Sequence, residues 1–262
     1  MAEKNLPIGI QSFENLRERD FLYVDKTKYI AQLLKGHVYF LCRPRRFGKS
    51  LFLSTLAAYF RGQKELFRGL YLEREEEVLS QQEKREAWQQ YPVLYLDFAR
   101  KEYKTKEDLL ERLSLNLRSW EKTYGVSKIT DSPEEQFAYL IEQIHEIHGK
   151  QVVVLIDEYD KPLYESLENE ELNATYRSLL RGFYSVIKSL DAHIRFAFLT
   201  GITKFSKVSV FSGLNNLKDI SLREDFSGIC GITDEELKEI FTPYIDSFAS
   251  KLKLSVAKLT LH

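Results

Sequence analysis

Two short stretches of this chain carry residue types and spacings that could do chemistry. The first is Phe40-Leu41-Cys42-Arg43-Pro44-Arg45-Arg46-Phe47-Gly48-Lys49-Ser50. His37 to Cys42 reads as a buried strand, and Leu51, Leu53, Leu56, Ala57 and Phe60 then recur at helical spacing. A Gly-Lys-Ser between a strand and a helix is the ending of a phosphate-binding loop. Backbone N–H groups at the helix start hold an anion, a lysine reaches the β- and γ-phosphates, and a hydroxyl holds Mg²⁺. Lys49 and Ser50 fill the last two parts, and Arg43, Pro44, Arg45, Arg46, Phe47, Gly48 and Leu51 complete the loop. Arg43 stands where the pattern has its first glycine.

The second stretch is Gln151-Val152-Val153-Val154-Leu155-Ile156-Asp157-Glu158. A continuous β-branched run signals a parallel strand buried on both faces. Carboxylates at the C-terminal end of such a strand lie where open α/β sheets bind ligands. Standing alone, the pair could equally be two acids capping the next segment. With the loop present, Asp157 fits a Walker-B carboxylate supporting Mg²⁺, and Glu158 fits the base that orients the attacking water. A third strand, Ile194 to Gly201, ends at Thr200, placed to contact the γ-phosphate or the water, with Thr203 as the alternative.

Positioning these residues takes a sizeable α/β core. The chain has 262 residues, 44% of them apolar, which is one large domain or two small ones. A formal net charge of −1 gives no global signal for nucleic acid or membrane. Cys42 and Cys230 match no metal or redox spacing. No apolar run approaches the ~18 residues of a membrane helix, and the N-terminus has no secretory apolar core. A cytoplasmic protein is expected.

Leu6 to Leu22 reads as irregular. In nucleotide-binding domains such a lead-in often packs by the base, so Phe13 and Tyr23 are either adenine contacts or core. Asp25 caps a helix carrying Tyr29, Ile30, Leu33 and Leu34. Glu73 to Gln90 reads as a solvated helix or insertion. Pro92 to Phe98 is a buried strand, with Asp97 either facing the nucleotide or opening the next loop. Thr105 to Tyr124 is an amphipathic helix, and Ser132-Pro133-Glu134-Glu135 starts another. His145 and His148, near Glu142 and Glu146, fall short of zinc spacing and read as solvated or capping. Tyr176 to Leu190 is helical, with Arg177 and Arg181 either surface residues or phosphate contacts. Phe205 to Asn216 is loop-like, and Leu217 to Leu222 is a short last strand. Asn216-Leu217-Lys218-Asp219 has leucine where a guanine-reading motif has lysine. Thr233 caps a final helix that Pro243 interrupts.

The ordered motifs resemble the AAA-ATPase-like family of bacterial and archaeal proteins. They are Arg43 to Ser50 preceded by Phe21 to Thr27, Tyr95-Leu96-Asp97-Phe98, Leu155 to Pro162, Leu199 to Ser206, and Gly213-Leu214-Asn215-Asn216-Leu217. The resemblance spans Leu6 to Phe241, and it makes Arg43 a family habit. It implies an α/β P-loop NTPase of the ASCE type: a central, mostly parallel sheet flanked by helices, with a short C-terminal helical segment. In that type an extra strand separates the P-loop strand from the Walker-B strand, and Val93 to Asp97 is taken as that strand. Residues 1–36 form an N-terminal segment packed on the core, 37–222 the ATPase core, and 223–262 a short helical lid. Family members often continue into a restriction-endonuclease-like domain, whose carboxylate-lysine constellation is not found here.

The expected ligands are ATP and Mg²⁺. Catalytic parts fall to Glu158, Lys49 and Thr200, and the metal to Ser50 and Asp157. The expected activity is Mg-dependent ATP hydrolysis driving a conformational switch. A nucleotide-gated regulatory module with little or no hydrolysis, linked to nucleic-acid processing, is the other reading, and small-molecule phosphoryl transfer is a further one. Arg45 and Arg46 exceed what three phosphates and Mg²⁺ need, so at least one is expected to face a protein partner or a neighbouring domain. Nucleic acid has no support within the chain, and no membrane partner is expected.

Overall fold

The computed structural model describes residues 4–203, 210–211 and 216–252. Most of the loop-like Phe205–Asn216 stretch, and the family-like pieces Lys204-Phe205-Ser206 and Gly213-Leu214-Asn215, lie outside the described residues.

Helix α1 (Phe13–Glu18) and α2 (Lys28–Leu33) precede strand β1 (Val38–Cys42) and α3 (Lys49–Phe60). Then come α4 (Tyr71–Glu83), β2 (Val93–Asp97), α5 (Lys106–Tyr124), α6 (Pro133–His148) and β3 (Val152–Asp157). The chain continues through α7 (Lys161–Glu165), α8 (Glu170–Ser189), β4 (Ile194–Gly201), β5 (Lys218–Asp219) and α9 (Asp234–Leu252). The five strands form one sheet in the order β2-β3-β4-β1-β5, and every pairing is parallel. All C-terminal strand ends therefore share one edge, where Cys42, Asp97, Asp157 and Gly201 lie.

The central strands are apolar throughout because they are covered twice. Val152, Val154 and Ile156 pack toward α5, α6 and α8, in one cluster with Leu113, Ile141 and Phe183. Val153 and Leu155 join Phe196, Phe198 and the α1–α4 side chains Phe13, Ile30, Leu56 and Leu72. Each large apolar side chain sealed this way stabilises the fold by ~1.5–3 kcal/mol. Local signals set the helix starts. Thr105 and Asp108 form a reciprocal capping box before α5, and Ser132 caps α6 with Pro133 in the first turn.

Several expectations are corrected. Val93–Asp97 is a strand, but it pairs with β3 at the sheet edge. The strand between β1 and β3 is β4, which pairs with both. The N-terminal segment is not wholly irregular, because Ser12 accepts from Asn15 N and caps α1. Helix α8 begins at Glu170, since Asn169 supplies the cap and Glu170 and Glu171 complement its positive end. Helix α9 runs through Pro243, with Tyr244 Oη just beyond it anchored to the Lys4 carbonyl at 2.8 Å. The Glu73–Gln90 stretch is only partly solvated. Glu76 and Trp88 are buried, and Glu76 takes bonds from Tyr59, Arg85 and the Trp88 N–H. His145 Nδ1 lies 2.8 Å from Nδ1 of His193, while the His148 ring meets Tyr124. Among the described residues no helix is long and apolar enough to cross a membrane.

Candidate functional site

The site forms where β1 and β3 end. After β1 the chain curls through a loop in which Arg46 (φ 63°) and Gly48 (φ 87°) are left-handed. Such alternation gathers successive backbone N–H groups into an anion-binding concavity. Gly48 is the N-cap of α3 and brings no side-chain cap, so the first N–H groups of α3 stay available for an anion. Lys49 is only 5% exposed. Its Nζ donates to the carbonyls of Arg43 and Pro44, both at 3.0 Å, which folds the lysine back over the loop.

The loop arginines separate. Arg43 turns its guanidinium away from the cup. Nη1 donates to the carbonyls of Cys42 (3.1 Å) and Ser221, and Nη2 donates to that of Phe226 at 3.2 Å. Its side chain thus ties the loop to the segment after β5, a job a glycine could not do, and only its backbone belongs to the cup. Arg45 is exposed and lies over the Tyr164 ring of α7, 5.3 Å from its centroid. The field of nearby Glu158 reaches it there. Arg46 and Phe47 are exposed, and Phe47 O accepts from Gly231 N at 2.8 Å.

Asp157 is 2% exposed at the end of β3. Its Oδ1 accepts from Thr200 Oγ1 at 2.5 Å and from Glu158 N at 3.1 Å, and the Ser50 hydroxyl also bonds the carboxylate. Burial raises its pKa above the usual carboxylate range, and the Ser50 and Thr200 hydroxyls offset part of that rise. Glu158 is half-buried, with a left-handed backbone (φ 51°). Such a conformation costs a non-glycine residue ~1–3 kcal/mol and recurs at functional sites. Its pKa is also raised, first by burial and then by the charge of Asp157. The fold therefore brings together Lys49, Ser50, Asp157 and Thr200 and sets Glu158 beside them. Among the described residues no cation is bonded to Asp157, and a hydroxyl beside such a carboxylate is a donor set suited to a hard divalent ion such as Mg²⁺.

Two cavities flank the start of α3. A mainly apolar one of about 360 Å³ is walled by Gly48, Leu51, Tyr23, Lys26, Cys230 and Phe241, among others. Tyr23 lines this cavity, whereas Phe13 is fully buried in the core. Lys26 is bound to both carboxylate oxygens of Glu236 at 2.6 Å and so joins the N-terminal segment to α9. A polar cavity of about 580 Å³ on the other side is lined by Ser50, Ser54, Tyr95, Asp97, Arg112 and Asp157. Asp97 opens the next loop. It bonds the next loop through Ala99 N (2.8 Å) and Arg100 Nε (3.0 Å), and it sits in register beside Asp157.

Arg177 is held by Asn173 Oδ1 at 2.7 Å. Thr203 is drawn to Asp160 rather than to Asp157. Sequence reasoning gave no role to Asp160, which is fully buried. A third acid three residues after Asp157 was the signal.

A family model described as "Predicted AAA-ATPase" matches residues 7–211. A protein of Azotobacter chroococcum mcd 1, described as an uncharacterized protein in the vnfD 5′ region, is 46% identical over 246 residues. The match covers 93% of this chain and 46% of that relative, so the chain spans less than half the relative's length. No solved structure matches the chain.

Proposed function

Because the chain belongs to the AAA-ATPase-like family, we propose that it binds ATP and hydrolyses it in a Mg²⁺-dependent reaction that drives a conformational switch. The observation that carries this reading is the Ser50–Asp157–Thr200 cluster at the start of α3, with Lys49 and Glu158 beside it. Strand order supports the ASCE assignment, since β4 lies between the loop strand and the acidic strand. The proposed division is an N-terminal segment (1–36), an ATPase core (37–222) and a helical lid (223–262).

In this reading the apolar cavity takes the base and the loop N–H groups take the phosphates. Lys49 exchanges its two carbonyl partners for phosphate oxygens. Ser50 and Asp157 would hold a magnesium ion, which would supply positive charge against the phosphates. Glu158 orients a water for in-line attack, and its raised pKa suits a general base. Thr200 is placed to bond that water or the γ-phosphate. Removing the glutamate's charge removes the base but leaves the phosphate cup. Glu158→Gln should therefore keep ATP affinity within about threefold while phosphate release falls ~10²-fold or more. Tight ATP binding by the wild-type chain with no phosphate release would instead favour the nucleotide-gated module.

A further inference from the structure

The turn after β3 grips the end of β4 more firmly than chain connection requires. Asp160 is fully buried. Its Oδ2 accepts from Ile202 N at 3.0 Å, from Thr203 N at 2.6 Å and from the Thr203 hydroxyl. Tyr159, also fully buried, donates its N–H to the Thr200 carbonyl at 2.9 Å and its hydroxyl to the Thr203 carbonyl at 3.0 Å. Gly201 lets the two segments close. A methyl group there would come within 2.7 Å of Asp160 Oδ1 and 2.5 Å of the Tyr159 ring.

This is more than packing, for two reasons. Asp160 Oδ1 is sealed from solvent with no hydrogen-bond partner among the described residues. A carboxylate buried with half its accepting capacity unused is a poor choice for stability alone. The same four-residue turn also carries Asp157 and Glu158. The segment gripped by Asp160 begins one residue after Gly201, and Thr200 just before it bonds Asp157. The two strand ends therefore meet at two levels: the Thr200 hydroxyl on Asp157 at the surface of the site, and Ile202 and Thr203 on Asp160 beneath.

We propose that Asp160 is a positioning residue: its grip on Ile202 and Thr203 fixes the end of β4 so that Thr200 and Glu158 are held at their working distance. The proposal rests on the hydrolytic reading of the site. Asp160 lines neither of the cavities beside α3 and spends its bonds on Ile202 and Thr203, so its loss should slow turnover without weakening binding.

The test measures steady-state phosphate release and equilibrium ATP binding on the wild type and on Asp160→Asn, Thr203→Val and Thr203→Ser. Rates are normalised to nucleotide-binding sites, so that misfolded protein is not counted. Asp160→Asn should lower kcat ~10-fold or more with KM and Kd for ATP within about twofold. Thr203→Val, which removes one of the donors, should lower kcat about threefold, and Thr203→Ser should restore it. If Asp160→Asn does not fold, the valine–serine contrast decides. An Asp160→Asn kcat within twofold of wild type would overturn the positioning role alone. So would matched losses in kcat and Kd, or equal rates for the valine and serine variants. Wild-type protein that binds ATP but releases no phosphate would overturn the hydrolytic reading and the positioning role with it.

Discussion

Glu76 and Asp157 are both carboxylates sealed from water, yet their surroundings differ in kind. Glu76, 0% exposed, is matched by a full charge: Arg85 donates to Oε1 at 2.5 Å and to Oε2 at 3.1 Å. Tyr59 Oη (2.8 Å) and Trp88 N (2.9 Å) supply further donors. Among the described residues, Asp157 receives hydroxyls and one N–H, with Lys49 turned to backbone carbonyls instead. The first acid is closed, and its partners hold α3 and α4 together. The second lines a polar cavity, where the proposed function seats a cation. A buried charge fully matched within the fold is part of the scaffold. One left without a bonded cation and opening into a cavity, as Asp157 does, is a candidate ligand site.

Breaking the closed site should give the largest effect. Glu76→Ala leaves Arg85 with Glu83 as its remaining acidic partner and strips the Tyr59 hydroxyl and Trp88 N–H of their acceptor, and should cost ~3–5 kcal/mol of stability in urea unfolding. A Glu76→Met/Arg85→Leu double variant should recover most of that loss. Equal instability of the double variant would mean that Glu76 does not act through its ion pair.

Arg43 tests the border between scaffold and site. Its side chain bonds three carbonyls and faces away from the phosphate cup. Arg43→Ala should cost about 2 kcal/mol of stability and leave the ATP affinity of the folded fraction within about threefold. A collapse of affinity without loss of stability would make Arg43 a phosphate ligand.

The acidic pair should also mark the pH dependence of the metal-free protein. Asp157 and Glu158 bind protons more tightly folded than unfolded, because burial disfavours their charge. Across the window from ordinary carboxylate values up to their raised ones, the folded state holds more protons than the unfolded state. Stability therefore falls as pH rises through that window. Asp108 pulls the other way: the N–H groups of Lys104 and Thr105 lower it to about 2, and its contribution is lost as pH falls. Melting wild type against Asp157→Asn/Glu158→Gln in EDTA isolates the pair. The double variant should lack the fall. Parallel curves would contradict the account.

This contrast also explains what could be read in the sequence. The loop, the β-branched strand and the acidic pair announce themselves by local spacing, so Lys49, Ser50, Asp157 and Glu158 were found together. Glu76 was hidden among charged neighbours, although Leu72, Glu76 and Leu79 keep the helical spacing of one buried stripe. Strand order was misread because β1 pairs with β4 from far along the chain. No periodicity encodes which of two apolar runs lies next to a third. The direction of Arg43 depends on carbonyls of Ser221 and Phe226, again distant in sequence. The grip of Asp160 could not be read because its partners come from the end of another strand.

The most direct test of the central claim is the melting of Asp157→Asn with and without MgATP. Removing a buried charge with no cation partner should raise the apo melting point, by the equivalent of ~1 kcal/mol. The same change should abolish the rise that MgATP gives the wild type. An apo protein no more stable than wild type, still stabilised by MgATP, would contradict the reading of Asp157 as a carboxylate held open for a metal–nucleotide complex.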